Sequence, residues 1–363
     1  MTAVRDATLP PYPDGWYAVA YADELPRGAV VVRPFMGQEI VLFRTASGAV
    51  CGVEPYCPHL GAHLGHGGRV EGESLRCPFH GFCFDRSGAC VATSYGKRPP
   101  KARLGVFHVR EQSGLVLAHS DATSAAPGWE VPPLDMTGWT PLTRRQWTLR
   151  GHPQETTENS VDVGHLAVVH GYRNVTELAP LETKGPYLTV RYAMDRPVVP
   201  LLPALRVEFT IHAHGLGYSL VEVQAPALGL ETRQFVLVTP LDEHRVTMRI
   251  ALCMRALPGR YAAAALTRGP ASRALSAIAM AAFAHDVQQD FAIWSHKRHV
   301  SPPVLAEGDG PIGAYRRWTK QFYPPAASPA ARPAGPDEGR QAALDADEGR
   351  QAPLDRGDDA RPD

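Results

Sequence analysis

Two groups of residues in this 363-residue chain have the types and spacing to hold metal ions. Cys57 and His59 form one pair, and after a gap of 17 residues Cys77 and His80 form a second. Two thiols and two imidazoles make a four-coordinate donor set that Zn2+ would accept, each pair being close enough in sequence to share one loop. The second group lies in Glu158-Asn159-Ser160-Val161-Asp162-Val163-Gly164-His165-Leu166-Ala167-Val168-Val169-His170. Two imidazoles plus a distant carboxylate are the facial triad that holds non-haem Fe(II) while leaving coordination positions open. Residues five apart on a straight α-helix point about 140° apart, so His165 and His170 converge only where the helix is irregular or ends between them. Gly171 is a suitable stop. Asp162, one turn before His165, is placed to orient its ring. For the carboxylate, Asp286 and Asp290 are both candidates. Asp290 falls in the apolar stripe of Phe283, Val287 and Trp294, where an unpaired carboxylate is costly and needs a partner such as a metal. Asp286 lies only about 40° away on the same helical wheel, so periodicity leaves both open.

The elements that must carry these groups divide at residue 120. From Trp16 to His119 short β-type runs (WYAVAYA, AVVVRPF, EIVLFRT, AVCGVE, GVFHVRE, GLVLAH) alternate with turns such as Ala46-Ser47-Gly48 and Arg86-Ser87-Gly88, the pattern of a small antiparallel β-domain. The Pro- and Ser-containing stretch after it reads as a linker. Beyond it the pattern predicts a helix over 153–170, then four strands: RVEFTIHAH, YSLVEVQA, RQFVLVTPL and RVTMRIALCM. In the first, Val207, Phe209, Ile211 and Ala213 share a face, as in a half-buried antiparallel sheet. A long helix is expected from Ala271 to about Lys297, with Pro270 at its first position and Pro302 past its end. The fold class is therefore α+β.

Composition excludes several functions. With 37 basic and 37 acidic residues the chain has no net charge with which to grip nucleic acid or an anionic membrane. Six Cys are too few for a disulfide scaffold, and no apolar run reaches the length of about 18 residues needed for a membrane span. The N-terminus has no basic-then-apolar leader pattern. A cytoplasmic protein follows, with Cys51, Cys83, Cys90 and Cys253 as buried free thiols. His63 and His66 are expected to be ordinary loop residues. Residues 324–363 carry a tandem copy (DEGRQAALDA, DEGRQAPLDR), a net charge of −4 and almost no large apolar side chain, which leaves +4 on the body. Such a segment cannot offset its ordering entropy and is expected to be disordered.

The wording around the first ligand set, C-x-H and then C-x-x-H-G, resembles the Rieske [2Fe–2S] domain over residues 15–119. The resemblance implies a cluster held through Cys57, His59, Cys77 and His80. Two thiolates would bind one iron and two imidazoles the other, which lies nearer the surface. Respiratory Rieske proteins add a Cys to each loop. The corresponding positions are Ala62 and Phe79, so the resemblance is to the oxygenase or ferredoxin branch. E-x3-D-x2-H-x4-H likewise resembles the iron motif of Rieske non-haem iron oxygenases. That implies a helix-grip catalytic domain with His165 and His170 as ligands, Asn159 and Asp162 as catalytic-site residues, and Asp162 linking His165 to His80 of the partner subunit in a homotrimer. Gln289-Asp290-Phe291-Ala292-Ile293-Trp294 is similar to the family's Q-D-x-x-I-W, which makes Asp290 the third ligand rather than Asp286.

YCPHLGAHLGHGGRVEG and IWSHKR…GDGPIGAYRRWTKQFY are similar to the steroid-acting subgroup, which contains 3-ketosteroid 9α-hydroxylase oxygenases and cholesterol 7-desaturases. His152-Pro153-Gln154-Glu155 leans toward the desaturases. Gly308-Asp309-Gly310-Pro311-Ile312-Gly313 fits G-x-G-x-x-G, but it follows no strand and opens no βαβ unit, so it is not a dinucleotide site. Electrons from NAD(P)H would then arrive through a separate reductase or ferredoxin. The resemblance implies an oxygenase component that uses O2 to hydroxylate or desaturate an apolar polycyclic substrate, a steroid or sterol. The alternatives are an aromatic-ring-hydroxylating dioxygenase and a bare Rieske electron carrier. The expected organisation is an arm (1–14), Rieske domain (15–119), linker (120–138), catalytic domain (139–323) and acidic tail (324–363).

Overall fold

The computed structural model describes residues 5–6, 8–197, 204–257, 259–260, 263, 267 and 269–323; the expected acidic tail at 324–363 lies outside them. The first half is all β. Strands β1 (Gly15–Tyr21), β2 (Val30–Phe35), β3 (Gln38–Arg44), β4 (Val50–Val53), β5 (Arg69–Glu71), β6 (Ser74–Arg76), β7 (Cys83–Phe84), β8 (Cys90–Ala92), β9 (Val106–Phe107), β10 (Val109–Gln112) and β11 (Leu115–Ser120) follow the β-type runs and turns of the sequence. They form antiparallel sheets in the orders β9-β4-β3-β2, β10-β11-β1 and β5-β6-β7-β8.

The segment expected to be a linker has no regular structure, yet it is docked: Trp16 donates its indole N–H to the Trp129 carbonyl at 2.9 Å, and Val131 is buried. After it come β12 (Thr143–Arg150), two short helices, α1 (Pro153–Glu158) and α2 (Val163–Val168), then β13 (Arg173–Lys184), β14 (Tyr187–Arg196), β15 (Leu205–His214), β16 (Tyr218–Ala225), β17 (Leu230–Pro240) and β18 (Arg245–Ala256). The chain closes with α3 (Gly269–Gln289), α4 (Phe291–His296) and α5 (Ile312–Thr319).

One seven-stranded antiparallel sheet, ordered β12-β18-β17-β16-β15-β14-β13, is the frame of this half. Both of its faces are used. Tyr218, Leu220, Phe235, Leu237, Ala251 and Cys253 pack against Trp16, Ala18, Tyr21, Leu115 and Leu117 of the first half. On the opposite face Met248, Ile250 and Leu252 pack against Met280, Phe283, Val287 and Trp294 of the late helices. This double burial explains why nine consecutive residues of β18, Val246 to Met254, are buried where a one-sided strand would alternate.

Three expectations are corrected. The helix predicted over 153–170 is two helices, interrupted at 159–162, and the late helix stops at Gln289 and resumes at Phe291. Both interruptions fall at the residues singled out for chemistry. β12, β13 and β14 add to the four expected strands; β13 is an edge strand with Pro180 and three register shifts, which erase any period-2 pattern.

Candidate functional site

Cys57 and Cys77 sit on two loops with the same backbone pattern. The Cys57 amide donates to the Ala62 carbonyl at 2.9 Å and the Gly61 amide to the Cys57 carbonyl at 2.9 Å; the Cys77 amide donates to Phe82 at 2.8 Å and Gly81 to Cys77 at 3.2 Å. Gly61 and Gly81 both hold positive φ, +73° and +66°, a backbone that L residues with a side chain rarely adopt. The loops face each other: the His59 and His80 rings are 4.6 Å apart, and His59 stacks on Phe82 at 4.4 Å. Both thiols are buried, whereas His59 is exposed and His80 half-buried. Burial pushes the Cys57 thiol up to about 11, and the adjoining Cys77 thiol adds to the shift. Two buried thiols side by side become thiolates only against a strong positive charge, so the donor set fits a metal cluster. All six cysteines are free and buried. His63 is engaged elsewhere, 3.0 Å from Glu39 and accepting the Gly65 amide.

The second group assembles where the helices break. Asp162 caps α2, its carboxylate accepting the His165 amide at 3.2 Å. α2 ends at Val168, and Gly171 at φ +67° turns the chain out, so His165 and His170 converge with ring centroids 5.0 Å apart. The late helix stops one residue before Asp290, a side chain only 7% exposed. Donor atoms of His165, His170 and Asp290 all lie within 4.8 Å of one another. Asp286 points into a different network, paired with Arg196 at 2.5 Å and accepting the Tyr172 hydroxyl at 2.8 Å.

Each imidazole is oriented through its Nδ1. His165 Nδ1 lies 2.5 Å from the carbonyl of Asp162, while the Asp162 carboxylate, the expected orienting group, stands 3.9 Å off. His170 Nδ1 bonds Gln289 Oε1 at 2.8 Å, and its Nε2 faces Asp290 at 3.5 Å. Fixing the tautomer in this way frees Nε2 as a metal donor. Burial lowers the His165 pKa and so favours the neutral ring a metal needs. Burial also raises the Asp290 carboxyl to about 6, opposed by His170 and the Asn159 side chain and reinforced by Asp162 and Asp286. A buried carboxylate facing two ring nitrogens fits a divalent metal.

These donors open onto a cavity. Its sheet wall is Phe209 and Ile211 of β15, Ser219 and Val221 of β16, and Gln234 and Val236 of β17; Phe283, Val287 and Trp294 close the opposite side. Ile211 pairs with Val221 and Val221 with Gln234, so these side chains share one face of the pleat. The glycine-rich segment at 308–313 is a structural support for the site. Its Asp309 carbonyl accepts the Val163 amide at 3.2 Å, and a Cβ on Gly310 would lie 2.3 Å from the Val161 carbonyl, so the segment is packed tightly against the start of α2. Gln289, the partner of His170, opens the Q-D-x-x-I-W segment beside Asp290, and the tertiary contact shows what it does there.

Residues 15–107 match the Rieske [2Fe-2S] domain, and residues 118–323 match the 3-Ketosteroid 9alpha-hydroxylase C-terminal domain. The chain is 28% identical to the Bombyx mori cholesterol 7-desaturase nvd, covering 86% of this chain and 70% of that one. Identity to the Caenorhabditis elegans cholesterol 7-desaturase is 29%, over 88% and 79%. The oxygenase component of a Rhodococcus rhodochrous 3-ketosteroid-9-alpha-monooxygenase is 25% identical, over 85% and 80%. Pseudomonas putida CBB5 NdmA with caffeine shares the fold at a TM-score of 0.66 and 17% identity, covering 84% of this chain and 89% of that one. Dicamba monooxygenase bound to 3,6-dichlorosalicylic acid does so at 0.65 and 17%, over 85% and 96%.

Proposed function

This chain belongs to the Rieske oxygenases whose catalytic half is the 3-ketosteroid 9α-hydroxylase C-terminal domain, and from that premise we propose that it is the oxygenase component of a steroid or sterol monooxygenase or desaturase. The observation that carries this reading is the convergence of His165, His170 and Asp290 on the wall of a mainly apolar cavity. Cys57, His59, Cys77 and His80 would hold the [2Fe–2S] cluster, and the three converging side chains would hold Fe(II). When bound, these groups relay electrons and reduce O2. The chain itself positions and shields. Gln289 and the Asp162 carbonyl set the imidazole orientations, Asn159 lines the cavity with Asp290, and the apolar walls keep water from the C–H bond under attack.

Electrons come from NAD(P)H through a separate reductase or ferredoxin. We further infer a homotrimer in which Asp162 bridges to His80 of the partner subunit. Two exposed regions support this. α2 has no buried residue and Asp162 is 30% exposed, while the exposed rings of Phe79 and Tyr95 lie beside the His80 imidazole. No helix among the described residues is long and apolar enough to cross a membrane. The reducing cytoplasm suits the four free thiols outside the cluster, Cys51, Cys83, Cys90 and Cys253, and is the proposed location.

Turnover of a panel of sterols, 3-ketosteroids and arenes with a surrogate reductase, read by product mass, tests the proposal. Oxidation of sterols or ketosteroids is expected. A diol formed from an arene, with no steroid turnover, would instead support ring dihydroxylation. Two irons per chain after anaerobic Fe(II) reconstitution, rather than three, would leave a bare electron carrier.

A further inference from the structure

Glu155 and Glu158 lie one turn apart on α1, each with a side chain only 7% exposed. Glu158 is gripped at both oxygens by Arg316 of α5, at 2.6 and 2.8 Å, and Arg316 also donates to the Val300 carbonyl at 2.5 Å. Glu155 contacts Lys297 and lies 2.5 Å from His299 Nδ1; Lys297 reaches Glu158 as well, at 3.7 Å. Lys297 and His299 directly follow α4, the helix that Asp290 precedes.

These contacts bracket α4. At one end of it, Asp290 and Asn159, the residue after α1, line the same cavity. At the other end, Lys297 is tied to the two glutamates of α1. Six-residue helices do not hold their own form or orientation in water, so the relative position of α1 and α4 must come from such ties. A buried ion network is a poor way to gain stability, because apolar residues of similar volume often serve as well; its known use is to fix one geometry. We propose that Glu155, Glu158, Lys297 and Arg316 are positioning residues for the Fe(II) site, a clamp that seats α1 against α4 so that Asp290, at the start of α4, stays in reach of His165 and His170. The proposal rests on the reading of those three side chains as iron ligands.

The test uses the full chain with its cluster in place, stripped of mononuclear iron and titrated anaerobically with Fe(II) by equilibrium dialysis. Glu158→Gln is expected to weaken Fe(II) binding about 10–100-fold, the range for partners of metal ligands. Cluster absorbance and thermal midpoint should stay near wild type, and the nitric oxide adduct of the Fe(II) site should show an altered EPR signal. Arg316→Lys, which keeps the charge, should retain most of the affinity that Arg316→Met loses. Should Glu158→Gln fail to fold, Lys297→Met at a 28% exposed position carries the same test with a smaller loss. Folded variants that bind Fe(II) as tightly as wild type, with an unchanged EPR signal, would overturn the clamp alone. A wild-type chain that takes up no third iron would overturn the functional reading instead.

Discussion

The two metal-binding regions are built in opposite ways. The Cys57/His59 and Cys77/His80 loops lie within 24 consecutive residues, each closed by its own pair of backbone hydrogen bonds and its own positive-φ glycine. The other region draws His165 and His170 from the end of one broken helix and Asp290 from the break of another, more than a hundred residues later. The first is a local device, its ligands set by the backbone of two short loops. The second exists only when the seven-stranded sheet, α2 and the late helices are all in place.

The difference predicts separable losses. Cys57→Ser should abolish the cluster absorbance and all reductase-driven turnover while the chain still binds one Fe(II); loss of that iron as well would break the contrast. Asp290→Ala should do the reverse, keeping the cluster spectrum and two irons per chain. Its Fe(II) affinity should fall more than about 100-fold, beyond what outer partners account for, and Asp286→Asn should cost far less. Asp162→Asn, measured by product per NAD(P)H consumed, should keep both metal centres yet lose at least about tenfold in coupled turnover, equivalent to about 1.4 kcal/mol. Near-normal turnover would remove Asp162 from the electron path. The smallest expected effect is Gln289→Leu. It frees His170 Nδ1 and should weaken Fe(II) binding about tenfold by dialysis with no change in cluster potential.

Legibility follows the same contrast. The tetrad around Cys57 and Cys77 is readable because all its ligands fall in one short window with turn residues between them. For the second site the sequence supplies His165 and His170 and the requirement that the helix end between them. It leaves Asp286 and Asp290 equivalent by periodicity, and the resemblance to Q-D-x-x-I-W favours Asp290. The structure adds a physical reason for that preference: Asp286 is occupied by Arg196 and Tyr172, whereas Asp290 faces two ring nitrogens. The interruption at Asp290 is invisible in the sequence because no Pro or Gly marks it. β13 stays hidden because its bulges and Pro180 scramble the alternation. Glu158 opens the E-x3-D-x2-H-x4-H motif, but its tie to Arg316, 158 residues away, is visible only in the structure.

The centre of the seven-stranded sheet, buried on both faces at β17 and β18, also governs how the chain comes apart. Its inward-facing rows are shared property: Phe235 and Ala251 belong to the seam with Trp16 and Leu117, while their neighbours Val236 and Ile250 belong to the packing under Phe283. Pulling the first half away would strip apolar cover from five strands' worth of surface at once, including β1 and β11. The expected calorimetric signature is therefore a single cooperative transition for residues up to 323 rather than two. A fragment ending at residue 119 should precipitate or require the other half to stay folded.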